Sequence, residues 1–247
     1  ANDQLKAFVH LDKPRALEEA RHLDRLAALG MPKGPLFGVP IAIKDIIHVV
    51  GMPTGGGSVT RKGSAPESQD AIVVQRLKNA GAIIIGKVAS VEYAFGGWGS
   101  NETVGAPVNP WDLKQNRVPG GSSSGSGVSV ASGLVPGALG TDTGGSIRLP
   151  SSFSGLVGLK TTAGLVPTTG VLPLSPMLDT IGPMTRTVRD AAILFDVIAD
   201  HPEGTSLPVS INDSKAFEGK RIGIPEELGI TLHPHTEIIW QETISRI

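Results

Sequence analysis

Cysteine is absent from this chain of 247 residues. That absence removes disulfides, thiol nucleophiles and cysteine-ligated zinc or iron–sulfur centres, and it fits a reducing, cytoplasmic setting. No apolar run approaches the roughly 20 residues that a membrane-spanning helix needs. Neither sign of charge dominates: 22 Lys+Arg stand against 23 Asp+Glu, for a net charge of -1, and no basic cluster forms a nucleic-acid face. His, Asp and Glu do not gather into a metal-ligand pattern either, so neither a metal nor an organic cofactor is expected. The opening "ANDQLKAFVH" lacks the basic start and apolar stretch of a signal peptide. It also lacks an initiator Met, and "TEIIWQETISRI" stops inside a helical pattern, so the expectation is a segment of a longer chain.

Glycine is what the sequence has in excess, at 32 residues, with aromatics at 4%. Many glycines flank short apolar runs, which points to tight strand–loop–helix junctions. Hydrophobic residues at 40% and charged residues at 18% describe a globular protein with a sizeable core. "PRALEEARHLDRLAAL" (14–29) spaces its leucines as a helix and Gly30 ends it; "DAIVVQRLKNAGA" is a second helix stopped by Gly81. Between and after them, "GPLFGVPIAIKDII" and "AIIIGKVA" read as buried β segments. Residues 96–121 read as an extended loop, "SGSGVSVASG" as a short helix, and "LVPGALGTD" and "GLVGLKT" as strands. "TVRDAAILFDVIA" is an amphipathic helix, residues 200–220 a polar surface loop, and "RIGIP" strand-like. This alternation argues for an α/β architecture.

The segment "RVPGGSSSGSGV" (117–128) poses the functional question. Its Gly/Ser content suits a flexible linker, although it sits between two structured regions. A phosphate loop would need Lys and Ser/Thr after the last glycine, where Val128 stands. Gly121-Ser122-Ser123-Ser124-Gly125 satisfies the G-x-S-x-G pattern of a nucleophile elbow, but "QNRVPG" makes a poor strand before it. Downstream, Asp142-Thr143-Gly144 imitates an aspartic-protease turn, which works only as a pair, and the chain has one.

Taken together, "GVPIAIKDII", "PGGSSSGSG" and "GTDTGGSIRLPSSFSGLVGLK" resemble the amidase signature family, in the family's order and with its 24-position separation of Ser122 and Ser146. The resemblance runs from about residue 34 to 200 and includes "GSNETVGAPVNPWD" and "LDTIGPMTRTVRDAA". It implies an α/β fold with a mixed, twisted β-sheet core covered by helices on both faces, incomplete in this chain. Residues 1–247 are then one amidase signature domain, truncated at both ends relative to the family. By position, the resemblance makes Lys44 the base, Ser122 the middle serine on a cis peptide bond and Ser146 the nucleophile. The backbone N–H groups of Thr143, Gly144, Gly145 and Ser146 become the oxyanion hole, and Ser123, Asp142 and Arg148 support that loop. Ser154 and Thr161 depart from the Cys and Pro of many relatives, at positions that follow the nucleophile.

The chemistry suits these residue types. A serine hydroxyl needs a base to take its proton during attack. None of the six histidines lies in a glycine-rich turn; His48, nearest to a motif, reads as a surface or core histidine. A lysine of ordinary pKa near 10.4 is neutral in only about one molecule of a few thousand at pH 7, and lowering it to about 7 or 8 requires about 4 kcal/mol. Lys44 stands among Ile41, Ile43, Ile46 and Ile47, where desolvation penalises the ammonium, and on a strand Asp45 points to the opposite face. The plainer alternatives stay open here: a solvated Lys44–Asp45 surface pair, and an ordinary tight turn at "TDTGGS". The expected activity is hydrolysis of a small-molecule amide, with no direct contact to nucleic acid or membrane and a homo-oligomer left open. Alternatives are the glutamine-hydrolysing component of a tRNA-dependent amidotransferase, which works with partner chains, and a non-catalytic fragment.

Overall fold

The computed structural model describes residues 2–115, 117–201, 218–225 and 231–246. The chain divides into two compact units, residues 1–209 and 210–247. In the first, a short helix α1 (Asn2–Leu5) precedes strand β1 (Phe8–Leu11). Helix α2 (Lys13–Ala28) starts where the Asp12 carboxylate accepts the Arg15 N–H at 3.1 Å, with a proline in its first turn. Strand β2 (Pro40–Lys44), helix α3 (Ile72–Asn79) and strand β3 (Ile83–Val88) form a β-α-β unit, and β2 and β3 pair in parallel. Helix α4 (Ser124–Ala131), strand β4 (Gly137–Asp142), helix α5 (Arg148–Ser154) and strand β5 (Val157–Gly158) follow. Strand β6 (Thr180–Thr185) and helix α6 (Val188–Ile198) come next, the latter capped by the Thr187 hydroxyl, which accepts the Asp190 N–H at 3.1 Å.

The six strands make one mixed sheet in the order β1-β3-β2-β4-β6-β5. β2 runs parallel to β3 and β4, and the remaining pairs are antiparallel. Strand alternation sends β2 side chains to both faces. Ile41 and Ile43 join Val73, Val74 and Leu77 of α3 and Leu194 and Ile198 of α6 in one core. Ala42 joins Ala138 of β4 and Val128 and Val130 of α4 in the other. α4 lies close because its residues are small: a Cβ on Gly125 would come within 2.3 Å of the Ala89 nitrogen. The mixed sheet with helices on both faces is the architecture expected. The two central parallel strands β2 and β4 end at Lys44 and Asp142, and open α/β sheets place their sites beyond such carboxyl ends.

Several details differ from the sequence reading. "GLVGLKT" yields a strand of only two residues. Residues 221–225 ("RIGIP") are exposed and form no strand. The polar loop expected at 200–220 lies mostly outside the described residues. Strands β1 and β6 and helix α5 were not anticipated. In the second unit, helix α7 (Pro234–Ser245) bears out the helical pattern of "TEIIWQETISRI", and none of its described side chains is buried. Among the described residues no helix is long and apolar enough to cross a membrane.

Candidate active site

The Gly/Ser segment is not a linker. Ser122, Ser123 and Ser124 are buried, at 0%, 0% and 1% exposure. Alternate backbone N–H groups along it are spent on the protein, so they do not converge as a phosphate cradle. Gly121 donates to Gly97 O (2.7 Å), Ser123 to Ser146 O (3.2 Å) and Gly125 to Ala89 O (2.9 Å). Nor is Ser123 an exposed elbow serine. Its hydroxyl donates to Thr141 O and accepts the Thr141 N–H, both at 3.2 Å, which staples the start of α4 to β4. The Gly121–Ser122 peptide bond is cis.

Lys44, the last residue of β2, is wholly buried. Its Nζ donates to Ser122 Oγ at 2.7 Å and to Thr141 Oγ1 at 2.7 Å. Burial pulls its pKa down from an ordinary 10.5 to about 7, against the opposing pull of the Asp142 and Asp179 carboxylates. Asp45 is not among the groups that hold Lys44 up. It forms a buried pair with Lys87, whose Nζ lies 3.1 Å from Asp45 Oδ1. The reading of Lys44 as half of a solvated surface pair is therefore overturned. His48 stands apart, 3.7 Å from Glu67.

Ser146 lies on the turn between β4 and α5, where Gly145 adopts φ +129°, a left-handed region that favours glycine. Asp142 holds that turn from within. It accepts N–H groups from Gly145 (2.6 Å), Ile147 (3.1 Å) and Arg148 (3.3 Å), and the Arg148 guanidinium through Nε and Nη2, both at 3.0 Å. Burial pushes the Asp142 carboxyl up, but Arg148 and these backbone donors together outweigh it, and the net shift is downward. An ionised, fully paired carboxylate cannot share a proton with a second one, so the aspartic-protease reading fails. The Gly145 N–H donates to Asp142, so of the expected oxyanion donors it enters the site already engaged.

Ser146 opens onto a pocket of about 530 Å³, with Phe95, Leu149, Leu174 and Ser175 in its walls. The Ser123 N–H to Ser146 O bond sets the two serine-bearing turns side by side. Lys44 and Ser122 are in contact; among the described residues no hydrogen bond joins Ser122 Oγ to Ser146 Oγ. Two neighbours escaped the sequence reading. Thr141 supplies the second hydroxyl on Lys44, and Asp179 accepts the Thr143 hydroxyl at 2.5 Å. Thr141 was legible as the residue preceding the Asp142 turn, whereas Asp179 lies 36 positions from Thr143 and only strand pairing joins them.

The family model described as Amidase matches residues 1–247. The chain is 46% identical over 230 residues to a component of the glutamyl-tRNA(Gln) amidotransferase of Chloroflexus aurantiacus (strain ATCC 29366 / DSM 635 / J-10-fl), over 90% of this chain and 47% of the relative. It is 43% identical over 224 residues to 2-amino-5-chloromuconic acid deaminase of Comamonas testosteroni, with the same coverage of 90% and 47%. An X-ray structure of native peptide amidase from Stenotrophomonas maltophilia superposes with a TM-score of 0.75 at 40% identity, over 82% of this chain and 42% of that one. The chain spans about half the length of the curated relatives it matches.

Proposed function

Because the chain belongs to the amidase family, we propose that it hydrolyses a carboxylic amide through an acyl-enzyme on Ser146, with Ser122 as proton relay and Lys44 as base. The observation that carries this reading is the wholly buried amine of Lys44, 2.7 Å from the Ser122 hydroxyl, with its pKa brought down to about 7. Neutral Lys44 takes the Ser122 proton as Ser122 takes that of Ser146, and Ser146 Oγ forms a bond to the amide carbon. The Ser146 hydroxyl turns toward Ser122 for this step, since catalytic hydrogen bonds commonly tighten only in the substrate complex. The N–H groups of Thr143, Gly144 and Ser146 receive the oxyanion, each such donor contributing about 2.7–4 kcal/mol to barrier lowering. Collapse breaks the C–N bond, and the proton returns through Ser122 to the leaving nitrogen. Water then attacks the acyl group by the same relay, which releases the acid and restores Ser146. Ser123, Asp142 and Arg148 hold the two turns in place.

Residues 1–247 are read as one amidase signature domain, supported by a family match over that whole span. A cytoplasmic setting is supported by the lack of cysteine. A second reading, glutamine hydrolysis within a tRNA-dependent amidotransferase, is favoured by the 46% identity to a component of such an enzyme. Both readings share the nucleophile. Ser146→Ala in the full-length polypeptide is expected to abolish labelling by a fluorophosphonate, with peptide mapping placing the adduct on Ser146 in the unmutated protein. Wild-type labelling in Ser146→Ala, or an adduct on another serine, rejects the mechanism and leaves the non-catalytic reading.

A further inference from the structure

We propose that Asp179 is a positioning residue of the acyl-transfer centre, tying the turn that bears Ser146 to the 174–175 segment that also lines its pocket; this rests on Ser146 being the nucleophile. The register of β4 and β6 sets up the contact. Asp142 pairs with Thr180 at the end of the antiparallel ladder, so the next residues outward, Thr143 and Asp179, face each other. The Thr180 hydroxyl closes the corner by donating to Asp142 O at 2.6 Å. Beyond it, Asp179 Oδ1 accepts the Thr143 hydroxyl at 2.5 Å. The same carboxylate accepts the Leu174 N–H at 2.9 Å and the Ser175 N–H at 3.0 Å to both oxygens.

Leu174 and Ser175 line the Ser146 pocket, as do Thr143 and Gly144. A carboxylate that merely closed its own loop would need only the Leu174 and Ser175 bonds. The Thr143 bond joins that loop to the turn that bears Ser146. Three donors converge on the carboxylate, and Ala would leave all three without it; Asn removes the charge but can keep the link, because the Thr143 hydroxyl can turn to accept its NH2. A turn displaced by about 1 Å can cost on the order of 100-fold in rate. Asp179 also lies near enough for its charge to act on Lys44, and Asp142 is the other acid whose charge does so.

The test is made on the full-length polypeptide with a fluorophosphonate, measuring kinact and KI separately across pH, alongside thermal melting. Asp179→Ala is expected to lower kinact roughly 10- to 100-fold with a smaller change in KI. Removing its charge lets the Lys44 pKa fall further, so the ascending limb of kinact moves to lower pH in Asp179→Ala and in Asp179→Asn, the latter keeping more of kinact. Thr143→Val should lower kinact while leaving that limb in place, and the double variant should lose little more than Asp179→Ala alone, because both break one bond. Thr143→Ser should recover labelling over Thr143→Val, which keeps the proposal testable if Asp179→Ala does not fold. Unchanged kinact, additive losses, no recovery in Thr143→Ser, or a loss that follows the melting temperature with an unmoved limb overturns it. Ser146→Ala run in parallel separates the two ideas: labelling that persists there sinks the nucleophile assignment, whatever Asp179 does.

Discussion

At the scale of single residues, the site turns on the ionisation of one amine. In the proposed mechanism Lys44 acts only when neutral, and burial brings its pKa down to about 7 against the pull of two nearby carboxylates. Acylation should therefore rise with pH along a limb whose midpoint lies near 7, then level off as the neutral form saturates. An ordinary lysine would give a limb near 10.4 and little activity at neutral pH. Fluorophosphonate labelling rates from pH 5 to 10 measure this directly; a midpoint above 9 would rule out Lys44 as the base. Lys44→Met should remove the limb and lower labelling by at least the roughly 100-fold that a positioned base contributes. The apolar run around Lys44 made its burial readable from residue types alone. Its second partner, Thr141, stands in a motif that the sequence shows, but nothing local says that its hydroxyl meets an amine 97 positions away.

At the scale of elements, the ends of β2 and β3 are locked by a buried ion pair that the chemistry does not use. Lys87 Nζ lies 3.1 Å from Asp45 Oδ1, and also donates to Thr54 Oγ1 at 3.1 Å and Pro53 O at 3.3 Å. Burial pulls the Lys87 pKa down and pushes that of Asp45 up, each restrained by the other's charge. Removing one partner leaves a charge buried alone, so Lys87→Met should destabilise the fold by about 3–5 kcal/mol. Replacing both, as Asp45→Leu with Lys87→Met, should recover most of that loss. Urea unfolding of the three proteins tests both statements, and a Lys87→Met variant of wild-type stability refutes them. The pair also explains a reading that held: Asp45, next to Lys44 in sequence, points away from it. β6 did not show itself in "TIGPMT" because Gly182 and Pro183 break the usual strand signals. Pro183 is tolerated because its carbonyl still serves the sheet, accepting the Leu159 N–H at 3.1 Å.

At the scale of the whole molecule, the question is which amide enters. The walls around Ser146 are glycine, serine, threonine and apolar side chains such as Phe95, Leu149 and Leu174, and no charged side chain lines the pocket among the described residues. These walls suit an apolar group beside Ser146, so an alkyl fluorophosphonate should label the protein faster than one that carries a charged group. Ammonia release from primary amides with an apolar acyl group, measured against that from glutamine, separates the two proposed readings. Faster turnover of glutamine favours the amidotransferase reading.

The amino-acid sequence determined by itself whatever depends on neighbours along the chain. Leucine spacing and terminal glycines marked α2 and α3, and "IAIKD" announced a dry lysine. The order of three motif blocks located Lys44, Ser122 and Ser146. Only the tertiary structure decided what depends on contact between distant segments. It placed the Ser122 hydroxyl on Lys44, turned the Gly145 N–H inward to Asp142 and set Asp179 against Thr143 through the register of two antiparallel strands. The physical reason is that desolvation follows from local composition, whereas hydrogen-bond partners are assigned by packing, which brings together groups that sequence keeps far apart.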